Sequence, residues 1–94
     1  MKVVWTGRAA SGLRSARRRI AKVNPTAAAR FADRTVREAA KLGQYPRLGR
    51  VGRVEGTREL VVAGTPYLVA YRITATEVQI LAVIHGARRW PKSL

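Results

Sequence analysis

Residues 56–72 read Gly-Thr-Arg-Glu-Leu-Val-Val-Ala-Gly-Thr-Pro-Tyr-Leu-Val-Ala-Tyr-Arg, and residues 85–91 read His-Gly-Ala-Arg-Arg-Trp-Pro. The first stretch has the pattern of a β-hairpin. Its two Val-, Leu- and Tyr-rich runs suit a pleated surface, and Gly64 with Pro66 supplies the turn between them. Strands are expected near 57–62 and 67–73, and a third near 77–85, with turns at 63–66 and 74–76. Alternation places Leu60, Val62, Tyr67, Val69 and Tyr71 on a core-packed face, and Glu59, Val61, Leu68, Ala70 and Arg72 on the other. The third run is apolar on both faces, which leaves its phase open, and it ends in the cationic and aromatic cluster at 85–91.

Upstream of the hairpin the period changes. Lys2-Val-Val-Trp5 is a short β-prone segment, and Thr6 can cap a helix in which Ala9, Leu13, Ala16, Ile20 and Val23 recur at spacings of three and four. Asn24-Pro25 ends that helix and starts another, because proline disfavours helix at the residue before it yet fits a first helical position. Ala28, Phe31, Ala32, Thr35, Ala39 and Leu42 form the second apolar stripe, and Gly43 is the expected stop. The segment 43–56, with four glycines and Pro46, reads as a loop. The order β-α-α-β-β-β predicts an α+β fold, a helical hairpin packed on one face of a small antiparallel sheet, with the other face open for function.

Ninety-four residues are expected to form one domain, 1–94, whose functions share one surface. The formal charge of +14 comes from 19 Lys and Arg, mostly Arg, against five acids. Such a field attracts polyanions or an acidic protein partner, and the planar arginine fork suits bidentate recognition of phosphate or carboxylate. The absence of cysteine excludes disulfide and thiolate chemistry, and a single histidine argues against a His-based metal site, so no metal and no cofactor is expected. Neither a membrane-spanning run nor a signal-peptide pattern is present, which points to a cytoplasmic protein.

His85 is the side chain best suited to acid–base work near pH 7, and equally a residue that hydrogen bonds hold at a strand end. Arg88 and Arg89 follow it, where they can hold phosphates or a developing negative charge. Trp90 can stack on a partner or pack the chain end against the sheet. Arg72 has a claim to the open sheet face, while Arg58 has Glu59 and Glu77 available as ion-pair partners. There is no nucleophile–base constellation, carboxylate pair or phosphate-cradling loop.

The chain also resembles the RelE/ParE superfamily of bacterial type II toxins along nearly its whole length. The likeness runs through Trp5-Thr6, Asn24-Pro25, Tyr45-Pro46 to Gly49-Arg50, Gly56 to Val62, Thr65 to Arg72 and His85 to Pro91, the last three being the most specific. The resemblance implies neutralisation by a cognate antitoxin whose extended, often acidic C-terminal segment wraps the toxin. RelE-like members cut messenger RNA on the ribosome with basic side chains on the open sheet face and, commonly, a tyrosine in a C-terminal extension. Here Glu59, Val61 and Leu68 occupy that face and only Pro-Lys-Ser-Leu follows Trp90. ParE-like members instead poison DNA gyrase, and the missing cations are compatible with that.

The expectation is therefore a toxin whose target-binding residues are Arg72, His85, Arg88, Arg89 and Trp90 and whose antitoxin-binding residues are Arg14, Arg18, Arg30, Arg34 and Arg37, forming a hetero-oligomer with its antitoxin. The principal alternative is a ribosome-dependent messenger RNA endonuclease using Arg72, His85, Arg88 and Arg89. A non-catalytic basic nucleic-acid-binding protein is a second alternative.

Overall fold

The computed structural model describes residues 1–94. In chain order it contains β1 (Lys2–Trp5), α1 (Gly7–Ala21), α2 (Pro25–Ala40), a 3-10 turn (Lys41–Gly43), β2 (Arg50–Val51), β3 (Arg58–Val61), β4 (Tyr67–Ile73) and β5 (Glu77–His85). The α+β fold holds, with two refinements. β1 joins the sheet parallel to β5, and residues 50–51 of the expected loop form an extra strand, giving the order β1-β5-β4-β3-β2 in one mixed sheet.

Both helix starts follow from local chemistry. Thr6 Oγ1 accepts from the Ala9 N–H at 3.1 Å and donates to the Ile80 carbonyl at 2.9 Å, so one hydroxyl caps α1 and ties it to β5. Asn24 Oδ1 accepts from the Ala27 N–H at 3.1 Å, with Pro25 opening α2. Val23, expected on the buried stripe of the first helix, is instead 91% exposed. The helix stops at Ala21, and the turn into Pro25 carries Val23 off that stripe.

The core lies between the helical pair and one face of the sheet. Ala9, Ala16, Phe31, Ala39 and Leu42 meet Leu60, Val62, Tyr67, Val69 and Tyr71, the five sheet residues expected there. The open phase of β5 has a physical cause. Tyr71 pairs with Ile80 but Ala70 pairs with Ala82, so Leu81 is an extra residue that flips the alternation. Val78 and Ile80 face the helices before it and Val83 does so after it. At the same crossing an added Cβ on Gly12 would lie 3.0 Å from the Val83 carbonyl oxygen, so glycine lets α1 lie close on β5.

Tyr71 fastens the 46–49 turn to the sheet. Its hydroxyl donates to the Pro46 carbonyl at 2.6 Å and accepts from the Gly49 N–H at 2.9 Å. Burial raises its pKa above the ordinary value of 10.0, against the opposing pull of the Gly49 N–H and the Arg58 charge. An added Cβ at Gly49 would lie 2.7 Å from that hydroxyl, so only glycine fits this approach.

Candidate functional site

The face of the sheet turned away from the helices is not open along its length. Arg72 and Val61 are exposed, but Glu59, Leu68 and Ala70 are 3%, 4% and 0% exposed. Residues 86–94 and the β2–β3 loop lie across that face. The Gly86 N–H donates to the Pro66 carbonyl at 2.7 Å, and Gly86 passes so near Leu68 that an added Cβ would stand 3.3 Å from its Cδ1. Arg53 stacks on the Trp90 ring at 3.8 Å, and its Nη1 donates to the Gly86 carbonyl at 3.3 Å. Arg72 Nη2 donates to the Leu94 carbonyl at 2.9 Å. The Trp90 indole Nε1 is buried with no hydrogen-bond partner.

Glu59 organises this cover. Its side chain is 2% exposed and accepts from the Arg53 N–H at 2.7 Å, Arg53 Nε at 3.2 Å and Arg50 Nη2 at 3.3 Å. Burial opposes its ionisation, but those hydrogen bonds and the Arg53 charge outweigh it and hold the carboxyl below its ordinary value of 4.5. Arg58, for which Glu59 was an available partner, donates instead to the Gly49 carbonyl at 2.8 Å. The two remain neighbours in sequence on opposite faces of one strand.

His85 lies on the helix side. Its ring meets Tyr67 edge-on at 5.4 Å, and Tyr67 meets Phe31 at 5.0 Å. Its Nδ1 accepts from the Ala87 N–H at 3.1 Å, which assigns the proton of the neutral ring to Nε2. His85 and Arg88 share a 140 Å³ cleft with Ser15 and Arg19 of α1. Tyr67 is the strand partner of His85, and Arg72 stands five positions further along β4, about 16 Å away on the other face. The sheet thus brings His85 and Arg88 together and separates them from Arg72 and Trp90. Arg89 is exposed on the connecting tail.

Arg14 and Arg18 lie exposed on α1, while Arg30, Arg34 and Arg37 line two grooves beside α2. One groove, of 260 Å³, has Arg30 and Arg34 facing Gly64 and Thr65; the other, of 420 Å³, has Arg34 and Arg37 beside Lys41 and Ala63. Arg34 Nη1 donates to the Ala63 carbonyl at 2.8 Å, and Arg37 pairs with Asp33 at 3.1 Å on the surface. β2 reaches β3 only at Glu59 and Arg58, which leaves the edge at Leu60–Val61 without a strand partner. Sequence reasoning missed Arg53, Arg19 and Ser15. Arg53 sits in a glycine-rich loop whose path carries no periodic signal. Arg19 and Ser15 could have been found by helical spacing, since they flank Gly12 and Ala16 on the side that meets β5.

Comparison with known proteins agrees with this architecture. A family model described as the ParE toxin of the type II toxin–antitoxin system parDE matches residues 3–90. A protein of Sinorhizobium fredii (strain NBRC 101917 / NGR234) named "Putative toxin Y4kP" is 42% identical over 93 residues, covering 99% of this chain and 96% of that one. A solved structure described as the chromosomal ParDE TA system from P. aeruginosa superposes with a TM-score of 0.82 at 25% identity, over 90% of this chain and 95% of that one. With the helical hairpin, the mixed sheet and the match along nearly its full length, the chain belongs to the ParE toxin family of type II toxin–antitoxin systems.

Proposed function

We propose that this toxin arrests growth by inhibiting DNA gyrase and that its antitoxin neutralises it by docking on α2 and the free edge of β3, a narrower surface than the expected one, which also included Arg14 and Arg18 of α1. The observation that carries the gyrase reading is the separation of Arg72 from His85 and Arg88 by the sheet. Cleavage of RNA needs a base for the 2′-hydroxyl and cations for the phosphorane within one site; His85 keeps Arg88 and Arg19 beside it, but the expected set that includes Arg72 is split across the sheet. Here the outer face instead presents a paired carboxylate and an apolar strand under a folded tail. The face on which the resemblance would place RelE-like cleavage is thus largely covered.

A supercoiling assay with purified gyrase, relaxed plasmid and this chain tests the reading. Loss of supercoiled product as toxin is added is the expected result. Full supercoiling at excess toxin, with ribosome-dependent transcript cleavage by the same preparation, supports the endonuclease alternative.

For the antitoxin, the grooves at Arg30, Arg34 and Arg37 offer cations to an acidic segment, and the unpaired Leu60–Val61 edge offers main-chain groups to an added strand. Replacing Arg30, Arg34 and Arg37 together by glutamate is expected to weaken antitoxin binding at least about 100-fold, because like charges then face the acidic segment. Unchanged affinity by calorimetry contradicts this docking site.

A further inference from the structure

We propose that the outward face of α1 is a binding surface for the phosphate backbone of duplex DNA. The two helices differ in charge chemistry. α2 carries Asp33 and Glu38, which pair with Arg37 and Lys41. α1 and the residue that ends it carry Arg8, Arg14, Arg17, Arg18, Arg19 and Lys22, all exposed, and no acid; none of these six joins any ion pair in the molecule. Ala9 and Ala16 face the core, so Arg14, Arg18 and Lys22 lie on the opposite half of the helix with Ser11, while Arg8, Arg17 and Arg19 flank it and Ser15 sits toward β5. Small polar residues there let a phosphate approach the arginine forks closely. At its β5 side the patch continues through Arg19 to Arg88 in the shared cleft.

The composition of this face selects its partner. Helix-in-groove protein recognition needs apolar anchors, and none of the large exposed apolar side chains lies on α1: Val36, Leu48, Val51 and Val61 are on α2, β2, β3 and the loop before them, and Val23 is in the turn. Single-stranded nucleic acid is held by aromatic stacking, and α1 has no aromatic residue. The face is a rigid cationic rod of 15 residues, about 22 Å long, which matches the charge density of a duplex backbone rather than bases; an extended acidic segment, the occupant expected for Arg14 and Arg18, is the competitor that the test separates. It gives affinity without sequence readout.

The surface is independent of the gyrase reading, so the test contains no gyrase. Fluorescence anisotropy of the intact chain is followed on a labelled duplex DNA of about 20 base pairs, on the same sequence as duplex RNA, and on oligo-dT. Engagement of about four phosphates predicts a fall in duplex affinity on the order of 100-fold between 50 and 200 mM salt. Replacing Arg8, Arg14, Arg18 and Lys22 by glutamine is expected to remove most of that salt dependence and to weaken binding at least about 30-fold at the lower salt. The α2 variant with Arg30, Arg34, Arg37 and Lys41 replaced by glutamine loses the same formal charge and is expected to bind duplex within about threefold of the parent. These positions are exposed, and circular dichroism verifies the fold of each variant.

Equal losses in the two variants mean that net charge alone acts, and overturn the proposal. Preference for oligo-dT or duplex RNA, or loss of antitoxin binding with DNA binding intact in the α1 variant, overturns it too. Duplex binding without gyrase inhibition contradicts the gyrase reading alone, and the reverse contradicts this one alone.

Discussion

At the scale of single residues, two buried ionisable groups set opposite limits of pH stability. The Glu59 carboxyl is held below its ordinary 4.5, so it stabilises the fold above that value and the contribution is lost as pH falls through the lowered value. Tyr71 is raised above 10.0, so its contribution is complete below pH 10 and is lost as pH rises through the raised value. Glu59→Gln is expected to cost about 2 kcal/mol at pH 7, since a charge-assisted acceptor is removed while Arg53 and Arg50 are left partly solvated. The same variant should lose less stability than the parent as pH falls below the ordinary carboxyl value of 4.5. Tyr71→Phe is expected to cost about 2 kcal/mol by leaving the Gly49 N–H and Pro46 carbonyl unpaired. Urea denaturation across pH measures both, and parallel parent and Glu59→Gln acid limbs contradict the role given to Glu59.

At the scale of elements, the α1–β5 crossing decides between two opposed effects of Gly12→Ala. Alanine improves helix propensity by roughly 1 kcal/mol, but its Cβ meets the backbone carbonyl of Val83, on a strand held there by its pairing with β4, at a distance that forces the strand or the helix to shift. Net destabilisation is expected, read as a lowered Tm; a raised Tm contradicts the packing account. The same crossing shows what was legible in the sequence. Period-two and period-3.6 patterns placed both helices and the three long strands to within about two residues, because burial on one face imposes those periods. The Leu81 bulge breaks such a period, and so left β5 undecided. β2 is two residues long, too short for a period, and the cover of the outer face by residues 86–94 depends on Arg53, Glu59 and Trp90 meeting from three distant segments. His85 and Arg72 lie in recognisable stretches, but which face each occupies relative to the other turns on that same bulge.

At the scale of the whole molecule, charge is the dominant property. Nineteen cationic residues face five acids, and four ion pairs engage only Arg37, Lys41, Arg50 and Arg53. The free toxin therefore repels itself, and its Tm is expected to rise as salt increases from about 10 to 150 mM, where the screening length shortens toward 8 Å. A Tm that falls with salt contradicts this. A partner of opposite charge relieves the same repulsion, so an antitoxin with the expected acidic segment would raise toxin stability as it binds. The field does not name the cellular target, which rests on family membership and on the sheet that divides Arg72 from His85. Pulse labelling of DNA and protein synthesis within minutes of inducing the toxin without its antitoxin tests that target most directly. DNA synthesis is expected to fall first while translation continues, and a first fall in translation contradicts gyrase as the target.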